Sequence, residues 1–187
     1  CSSDLAELDS YIGLADVKEE VKNLINMVNV YKLRRAHDLP TTDMSLHMVF
    51  TGNPGTGKTM IARMMARIYR SLDILSKGQL VEVDRSGLVA GYVGQTALKT
   101  QKVIEKAMGG VLFIDEAYAL NGKSENDFGQ EAIDTILKAM EDHRDDLVVI
   151  VAGYTDLMEK FIHSNPGLES RFNRFLLFED YSPDEML

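Results

Sequence analysis

The sequence predicts an α/β fold, a three-layer αβα sandwich in which helices cover both faces of a five-stranded parallel sheet. Short apolar runs of strand length alternate along the chain with longer segments whose apolar residues recur at helical spacing. Each connection between two such runs is long enough to hold a helix, which favours parallel strands. The run 111–114 is continuously apolar, as expected of a central strand that is buried on both faces.

The strands are predicted from apolar runs that polar residues or glycines bound on either side. Gly109 and Gly110, for example, separate the third run from the helical pattern before it. The five predicted strands are 46–50, 80–83, 111–114, 147–152 and 175–178.

The helices are predicted from apolar residues spaced three and four positions apart. Asp16 followed by Glu19 resembles a capping box that opens the first helix, and Pro40 lies just beyond its end. The five predicted helices are 16–36, 58–70, 95–108, about 128–140 and about 156–163. The remaining segments are predicted as a glycine-punctuated stretch at 87–94, a polar loop at 121–127, a turn at 165–167 and the start of another helix at 182–185.

Composition limits the classes of function. The chain has 187 residues, of which 45% are hydrophobic and 26% charged, so it is long enough for one domain or one large subdomain with its own core. A net charge of -9 argues against a nucleic-acid partner, because such binding depends on cationic contacts to phosphate. Cys1 is the single cysteine, which favours a reducing, cytoplasmic location. Neither a run that could span a bilayer nor a signal-peptide pattern is found, so no membrane partner is expected.

One glycine-rich run joins the first strand to the second helix and has the pattern of a phosphate-binding P-loop. Its glycines let backbone N–H groups turn toward an anion, and the following helix adds the positive end of its dipole. Lys58 is expected to reach the β- and γ-phosphates of ATP, and the Thr59 hydroxyl to ligate Mg²⁺. The alternative is a plain glycine-rich turn. The predicted nucleotide-binding residues are Gly52, Asn53, Pro54, Gly55, Thr56, Gly57, Lys58, Thr59 and Met60.

A second pattern lies at the end of the third strand, where an apolar run stops at two adjacent acids. This is a Walker B pattern, in which Asp115 would hold Mg²⁺ and Glu116 would polarise the attacking water. The alternative is a strand that ends in two solvated carboxylates.

Two arginines precede the fifth strand and could supply positive charge to the transition state. Arg171 and Arg174 lie far along the chain from the P-loop, so we expect them to serve a neighbouring subunit. The alternative is a surface arginine paired with Glu169 or Glu179.

In their order and spacing, these motifs resemble those of the AAA+ ATPase superfamily, and more narrowly those of the CbbX / stage V sporulation protein K family. The resemblance covers nearly the whole chain, from about Ile12 to Tyr181. It is carried by four stretches in addition to the P-loop: 46–50, 109–118, 151–154 and 165–171.

The resemblance implies further roles. The fold would be the P-loop NTPase large subdomain at 14–187, after a linker at 1–13, with a helical lid expected at or beyond the end of the chain. Ile12 and Gly13 would pack on adenine, with a simple turn before the first helix as the alternative. Tyr92, Val93 and Gly94 would form a pore loop that grips a protein or peptide substrate, with a core tyrosine beside a glycine turn as the alternative. The family implies ATP and Mg²⁺ as ligands and a homo-oligomer, most simply a hexameric ring.

One departure from the superfamily pattern concerns how the γ-phosphate is sensed. Many AAA+ proteins carry a polar sensor where this chain has Gly153-Tyr154, so Tyr154 is expected either to contact nucleotide or simply to pack.

Several alternatives remain at the level of function. A sporulation-type remodelling ATPase is favoured slightly over a red-type Rubisco activase by the stretch 128–135. A non-hydrolysing nucleotide-dependent scaffold and a P-loop kinase are the rival classes, and the kinase would need an acceptor pocket for which the sequence gives no signature.

Overall fold

A computed structural model describes residues 15–40, 45–92, 94–121 and 128–179 of the chain. In these ranges five strands are present: β1 (Met48–Gly52), β2 (Leu80–Val83), β3 (Val111–Asp115), β4 (Val148–Gly153) and β5 (Phe175–Phe178). The α-helices are α1 (Ala15–Ala36), α2 (Lys58–Ser71), α3 (Arg85–Leu88), α4 (Gln95–Ala107), α5 (Phe128–Asp142), α6 (Thr155–His163) and α7 (Pro166–Arg171). A 3₁₀ turn, Ala117–Leu120, follows β3.

The five strands form one parallel sheet in the order β2-β3-β4-β1-β5. This confirms the predicted fold class. Because all strands run the same way, the ends of β1, β3 and β4 meet at one edge, which we call the carboxyl edge. The segments that precede β1, β4 and β5 meet at the opposite, amino edge.

The core lies on both faces of the sheet, because successive side chains of a strand point to opposite sides. Phe50 and Phe113 pack toward α1 and α2 on one face. Val49 and Leu112 pack toward α4, α5 and α6 on the other face. All residues of β1 and β4 are buried, which explains why their sequences are apolar apart from Thr51 and the glycines that end both strands.

One local prediction is wrong, and two short elements of the structure were not predicted. The predicted turn at 165–167 is wrong, because α7 begins at Pro166 and the Asn165 side chain accepts a hydrogen bond of 2.8 Å from the Gly167 N–H. An asparagine cap followed by proline at the first helical position is a helix start rather than a turn. The short helix α3 and the 3₁₀ turn were not predicted, because four residues carry too little periodicity. The polar loop, apart from Asn121, and the helix start at 182–185 lie outside the described residues.

Among the described helices, none is both long enough and apolar enough to cross a bilayer.

Candidate nucleotide site

The glycine-rich loop leaves β1 through two positions that glycine alone occupies comfortably. Gly52 has φ 143°, and a Cβ atom built on it would lie 2.3 Å from the carbonyl oxygen of Phe178 on β5. Gly57 has φ 94° and caps α2 without a side-chain hydrogen bond. The first turn of α2 therefore presents backbone N–H groups toward the loop. The buried Thr56 hydroxyl donates to the Asn53 carbonyl at 2.8 Å and fixes the curve of the loop.

Lys58 begins α2 and bends back over this loop. Its ammonium donates to the Gly52 carbonyl at 2.7 Å and to the Asn53 carbonyl at 3.2 Å. Partial burial lowers the pKa of Lys58, while the negative charges of Asp115 and Glu116 act in the opposite direction. The lysine predicted to bind phosphate is thus electrostatically coupled to the acids at the end of β3.

Asp115 and Glu116 lie at the carboxyl edge of the sheet. Asp115 is in register with Ala152 of β4, and β4 in turn pairs with β1. Glu116 has φ 50° and ψ 45°, and its N–H donates to Asp115 Oδ1 at 3.0 Å. This left-handed conformation costs a non-glycine residue about 1 kcal/mol. Such strain is often found where a side chain has to be aimed at a site.

A cleft of about 430 Å³ brings the two halves of the predicted site together. The residues that line it are Gly52, Pro54, Gly55, Gly57, Lys58, Thr59, Met60, Phe113, Asp115, Glu116, Gly153 and Tyr154. The hydroxyl of Thr59 and the carboxylate of Asp115 are oxygen ligands of the kind that Mg²⁺ prefers, and they share this cleft. The donor set therefore fits a Mg²⁺–triphosphate.

The end of β4 contributes a tyrosine where a small polar side chain was the expected pattern. Tyr154 lines the cleft and is 40% exposed. Gly153 leaves room for neighbouring side chains, because a Cβ atom there would lie 2.9 Å from Met158 Sδ and 3.0 Å from Tyr118 Cδ1. Partial burial and the Glu116 carboxylate raise the pKa of Tyr118, which keeps this phenol protonated beside the acids.

Arg171 and Arg174 lie at the amino edge, away from the cleft. The Val49 N–H donates to the Arg174 carbonyl at 2.8 Å, and the Arg174 Nε donates to the Ser45 carbonyl at 3.2 Å. Strand β1 separates this edge from the P-loop by about 16 Å at a rise of about 3.3 Å per residue. The two arginines are therefore remote from the nucleotide cleft of their own chain.

The Arg171 guanidinium is held by its own chain. Nη1 donates to the Gly167 carbonyl at 3.2 Å, and Nη2 lies 3.2 Å from Glu141 Oε2. The other Glu141 oxygen, Oε1, accepts from Arg144 at 3.4 Å. The predicted alternative partner Glu169 instead lies 3.2 Å from His163 Nδ1. The contact between Arg171 and Glu141 was not predicted from the sequence, because Glu141 lies 30 positions before Arg171 and only the fold brings the two together.

Two further predicted sites differ in how much of them is described. Tyr92 is 73% exposed, and Gly94 has φ 79° and caps α4, so the aromatic ring is free to contact another molecule. Val93, Ile12 and Gly13 lie outside the described residues. Phe113, which lines the cleft, and Tyr118 were not predicted as site residues, although both belong to the stretch that carries the family resemblance.

A P-loop, a Walker B strand end and a parallel αβα sheet define a nucleotide-binding ATPase fold. The chain belongs to the ATPase family associated with various cellular activities (AAA), which it matches over residues 48–180.

Its relatives point to a narrower group. The chain is 51% identical over 184 residues to "Protein CbxX, chromosomal" of Cupriavidus necator, covering 97% of this chain and 58% of the relative. It is 49% identical over 185 residues to "Ribulose bisphosphate carboxylase/oxygenase activase, chloroplastic" of Cyanidioschyzon merolae, covering 98% and 63%. It is 43% identical over 181 residues to "Stage V sporulation protein K" of Bacillus subtilis, covering 97% and 56%. The chain thus spans about 60% of the length of these relatives, which are members of the predicted family.

Proposed function

We propose that this chain is the nucleotide-binding part of a ring-forming ATPase that hydrolyses ATP and uses the energy to remodel or thread a protein substrate. The observation that carries the proposal is that Lys58, Asp115 and Glu116 line one cleft, although 57 positions separate the lysine from the first acid. Oligomeric state, hydrolysis and substrate are all part of this proposal.

Each residue of the cleft has a distinct task in the proposed reaction. The N–H groups of the P-loop and the Lys58 ammonium bind the phosphates and orient the γ-phosphoryl group. Thr59 and Asp115 would hold Mg²⁺, which neutralises developing charge on the phosphate oxygens when it is bound. Glu116 accepts a hydrogen bond from the attacking water and draws its proton away. Tyr154 lines the same cleft and would donate its phenol O–H to the γ-phosphate, in place of the polar sensor residue of other AAA+ proteins.

The position of Arg171 is the reason for proposing a ring. Positive charge from Arg171 is needed near the γ-phosphate, and Arg171 lies at the opposite edge of its own sheet. Contact is possible only if the amino edge of one copy faces the carboxyl edge of the next. Repeating that head-to-tail contact generates a ring when the rotation closes. Arg174 is the weaker candidate, because its guanidinium faces Ser45 and Met27 within the chain.

Two variants test the assignment of the cleft in the full-length protein. Lys58→Ala should weaken ATP binding at least tenfold, because the phosphates lose their main cationic contact, and Lys102→Ala on the exposed face of α4 is the matched control. Glu116→Gln should keep ATP binding but reduce phosphate release at least about a hundredfold. Glu105→Gln on α4 is its control. Turnover at the parental rate in Glu116→Gln would show that another group activates water.

The rival class is a non-hydrolysing scaffold, and the measurement of phosphate release by the parent protein tests it. If the parent binds ATP but releases no phosphate above background, the cleft serves only as a switch. The left-handed Glu116 that lines the cleft favours hydrolysis, because a pure switch has no need of a strained acid there.

Two biological roles fit the family equally well. The relatives include one that is named a Rubisco activase and one that is named a sporulation protein, at 49% and 43% identity, so the slight preference drawn from residues 128–135 has no further support. ATP turnover measured with and without red-type Rubisco and a sugar bisphosphate separates the two roles. Stimulation by Rubisco supports an activase, and its absence favours the sporulation-type role.

A further inference from the structure

The segment that leads to the exposed Tyr92 is fastened to helix α4. The Thr100 hydroxyl donates to the Leu88 carbonyl at 3.0 Å, and Lys99 Nζ donates to the Ser86 carbonyl at 2.7 Å. The Thr96 hydroxyl accepts from the Ala90 N–H at 3.0 Å. Both threonines are fully buried, and the Thr100 contact is buried with them, whereas the Lys99 contact is exposed to solvent. Residues 86–90 and α4 thus form one hydrogen-bonded body, and the exposed Tyr92 lies two residues beyond its end.

Arg85 joins this body to the turn that carries the candidate catalytic acid. Its Nη1 donates to the Ala119 carbonyl at 2.7 Å, in the 3₁₀ turn after β3. The Ala119 N–H in turn donates to the Glu116 carbonyl at 2.9 Å. One side chain thus connects α3, which precedes the residues 89–92 that we call the Tyr92 loop, to Ala119, 34 positions away, and through Ala119 to the backbone of Glu116.

The pocket that holds the guanidinium is shaped for it. Gly129, at the start of α5, has no side chain, and a Cβ atom there would lie 2.8 Å from Arg85 Nη1 and 2.0 Å from the Leu120 carbonyl. Arg85 is itself half-buried. A guanidinium donates charge-assisted hydrogen bonds in a fixed planar geometry, whereas a lysine ammonium on a different stem cannot reproduce that geometry. The contact therefore depends on the shape of the guanidinium as well as on its charge.

We propose that Arg85 is a positioning residue that links the nucleotide state sensed at Glu116 to the position of the Tyr92 loop. The inference rests on the proposed function, since it requires that ATP binds beside Glu116. A shift of the 3₁₀ turn when the γ-phosphate is present carries the Ala119 carbonyl with it. Arg85 then moves α3 and the body of α4, and the exposed Tyr92 changes its surroundings.

A purely structural Arg85 would have a different consequence. It would stabilise the packing of α3 against the 3₁₀ turn in every nucleotide state alike. Its removal would then lower the unfolding temperature but leave any difference between ATP and ADP unchanged. The test must therefore read the Tyr92 position as a function of nucleotide, not stability alone.

The experiment uses the full-length protein with its native cysteines replaced by serine and a Tyr92→Cys probe, and it leaves Glu116 unchanged. The rate at which the thiol reacts with a soluble disulfide reagent is measured with a non-hydrolysable ATP analogue, which prevents turnover, and with ADP. We expect the two rates to differ at least about threefold in this parent, and Arg85→Gln to reduce the ratio to about one. Arg85→Lys should give an intermediate ratio, and Arg34→Gln, an exposed change of the same type on α1, should leave the ratio at the parental value.

The outcomes separate this inference from the proposed function. If a fluorescent ATP analogue does not bind the parent, the proposed function fails and the link fails with it. If ATP binds and the ratio in Arg85→Gln stays at the parental value, or the parent ratio is one, Arg85 is no link and the inference is overturned. Should Arg85→Gln fail to fold, Arg85→Lys decides, because a fully parental ratio in that variant contradicts a directional contact.

Discussion

The burial of His47 at the amino edge of the sheet, where Arg171 lies, predicts how the free energy of unfolding depends on pH. The His47 Nδ1 accepts a hydrogen bond of 3.0 Å from the Val149 N–H, and its ring centroid lies 6.0 Å from that of Phe172. Burial, together with the positive charge of Arg171, lowers the pKa of His47 from 6.5 to about 4. The folded protein therefore holds a neutral imidazole whose Nδ1 has to remain unprotonated to accept its hydrogen bond.

The sign and size of the effect on stability follow from linkage. Because the unfolded chain binds this proton more tightly, stability rises with pH between about 4 and 6.5 and is lost as the pH falls through that window. The difference between 6.5 and about 4 corresponds to about 3 kcal/mol in the limit, and about 2 kcal/mol of it is lost between about pH 7 and about pH 5.

The assay is urea unfolding across this pH range for the parent and for His47→Asn. Asparagine places Oδ1 close to the position of Nδ1 and still accepts from Val149, but it does not titrate. The parent should lose about 2 kcal/mol more than His47→Asn between about pH 7 and about pH 5, because all other titrations cancel in the comparison. Exposed His143→Asn is the control and should follow the parent. Parallel curves for the parent and His47→Asn would refute the argument.

Three further predictions concern the site. Arg171→Ala should lower turnover at least about a hundredfold while ATP affinity stays within about twofold, and mixing with Lys58→Ala subunits should restore part of the turnover. No recovery on mixing would mean that Arg171 does not act between copies. Tyr92→Ala should remove any stimulation of turnover by unfolded casein, because the exposed aromatic grip is lost, and retained stimulation would contradict the pore-loop role. Gly52→Ala should lower the free energy of unfolding by about 1–3 kcal/mol, because its Cβ would lie 2.3 Å from the Phe178 carbonyl. Gly55→Ala, whose Cβ would meet no atom within 4 Å, should cost less, and equal losses would contradict the steric argument.

The nucleotide cleft could be predicted because its chemistry is written in short stretches of sequence. A phosphate loop needs glycines, a lysine and a hydroxyl within a few positions, and a strand end supplies the acids. The two motifs led us to expect that Lys58 and Asp115 lie in one cleft, and in the structure both residues line it. Sequence spacing alone does not reveal that β4 lies between β1 and β3, nor that it brings Tyr154 to the same edge.

The contacts of the amino edge could not be predicted in the same way. Glu141, His47 and Arg171 come from separate segments of the chain, and the pattern that marks Arg171 as a candidate gives no sign of its contact with Glu141 or of its effect on His47. Their pairing depends on where α5 ends relative to α7, which is a property of packing. The bounds of the helices and strands were predicted only to within one or two residues. The reason is again the packing, because ladder hydrogen bonds, and not the apolar run, decide where a strand begins.

The position of Arg171 has a consequence for how an assembled ATPase would be regulated. In one copy the guanidinium is satisfied by the Gly167 carbonyl and by Glu141, and it points back along its own helix. To reach the γ-phosphate of a neighbour, it must exchange Glu141 for the nucleotide. Glu141 keeps Arg144 as a partner after that exchange, so no carboxylate is left unpaired. An exposed ion pair of this kind is worth only about 0–1 kcal/mol, which a triphosphate can readily outweigh. In the proposed ring, the arginine would therefore be held while a copy is alone and would be released at little cost when a loaded neighbour docks.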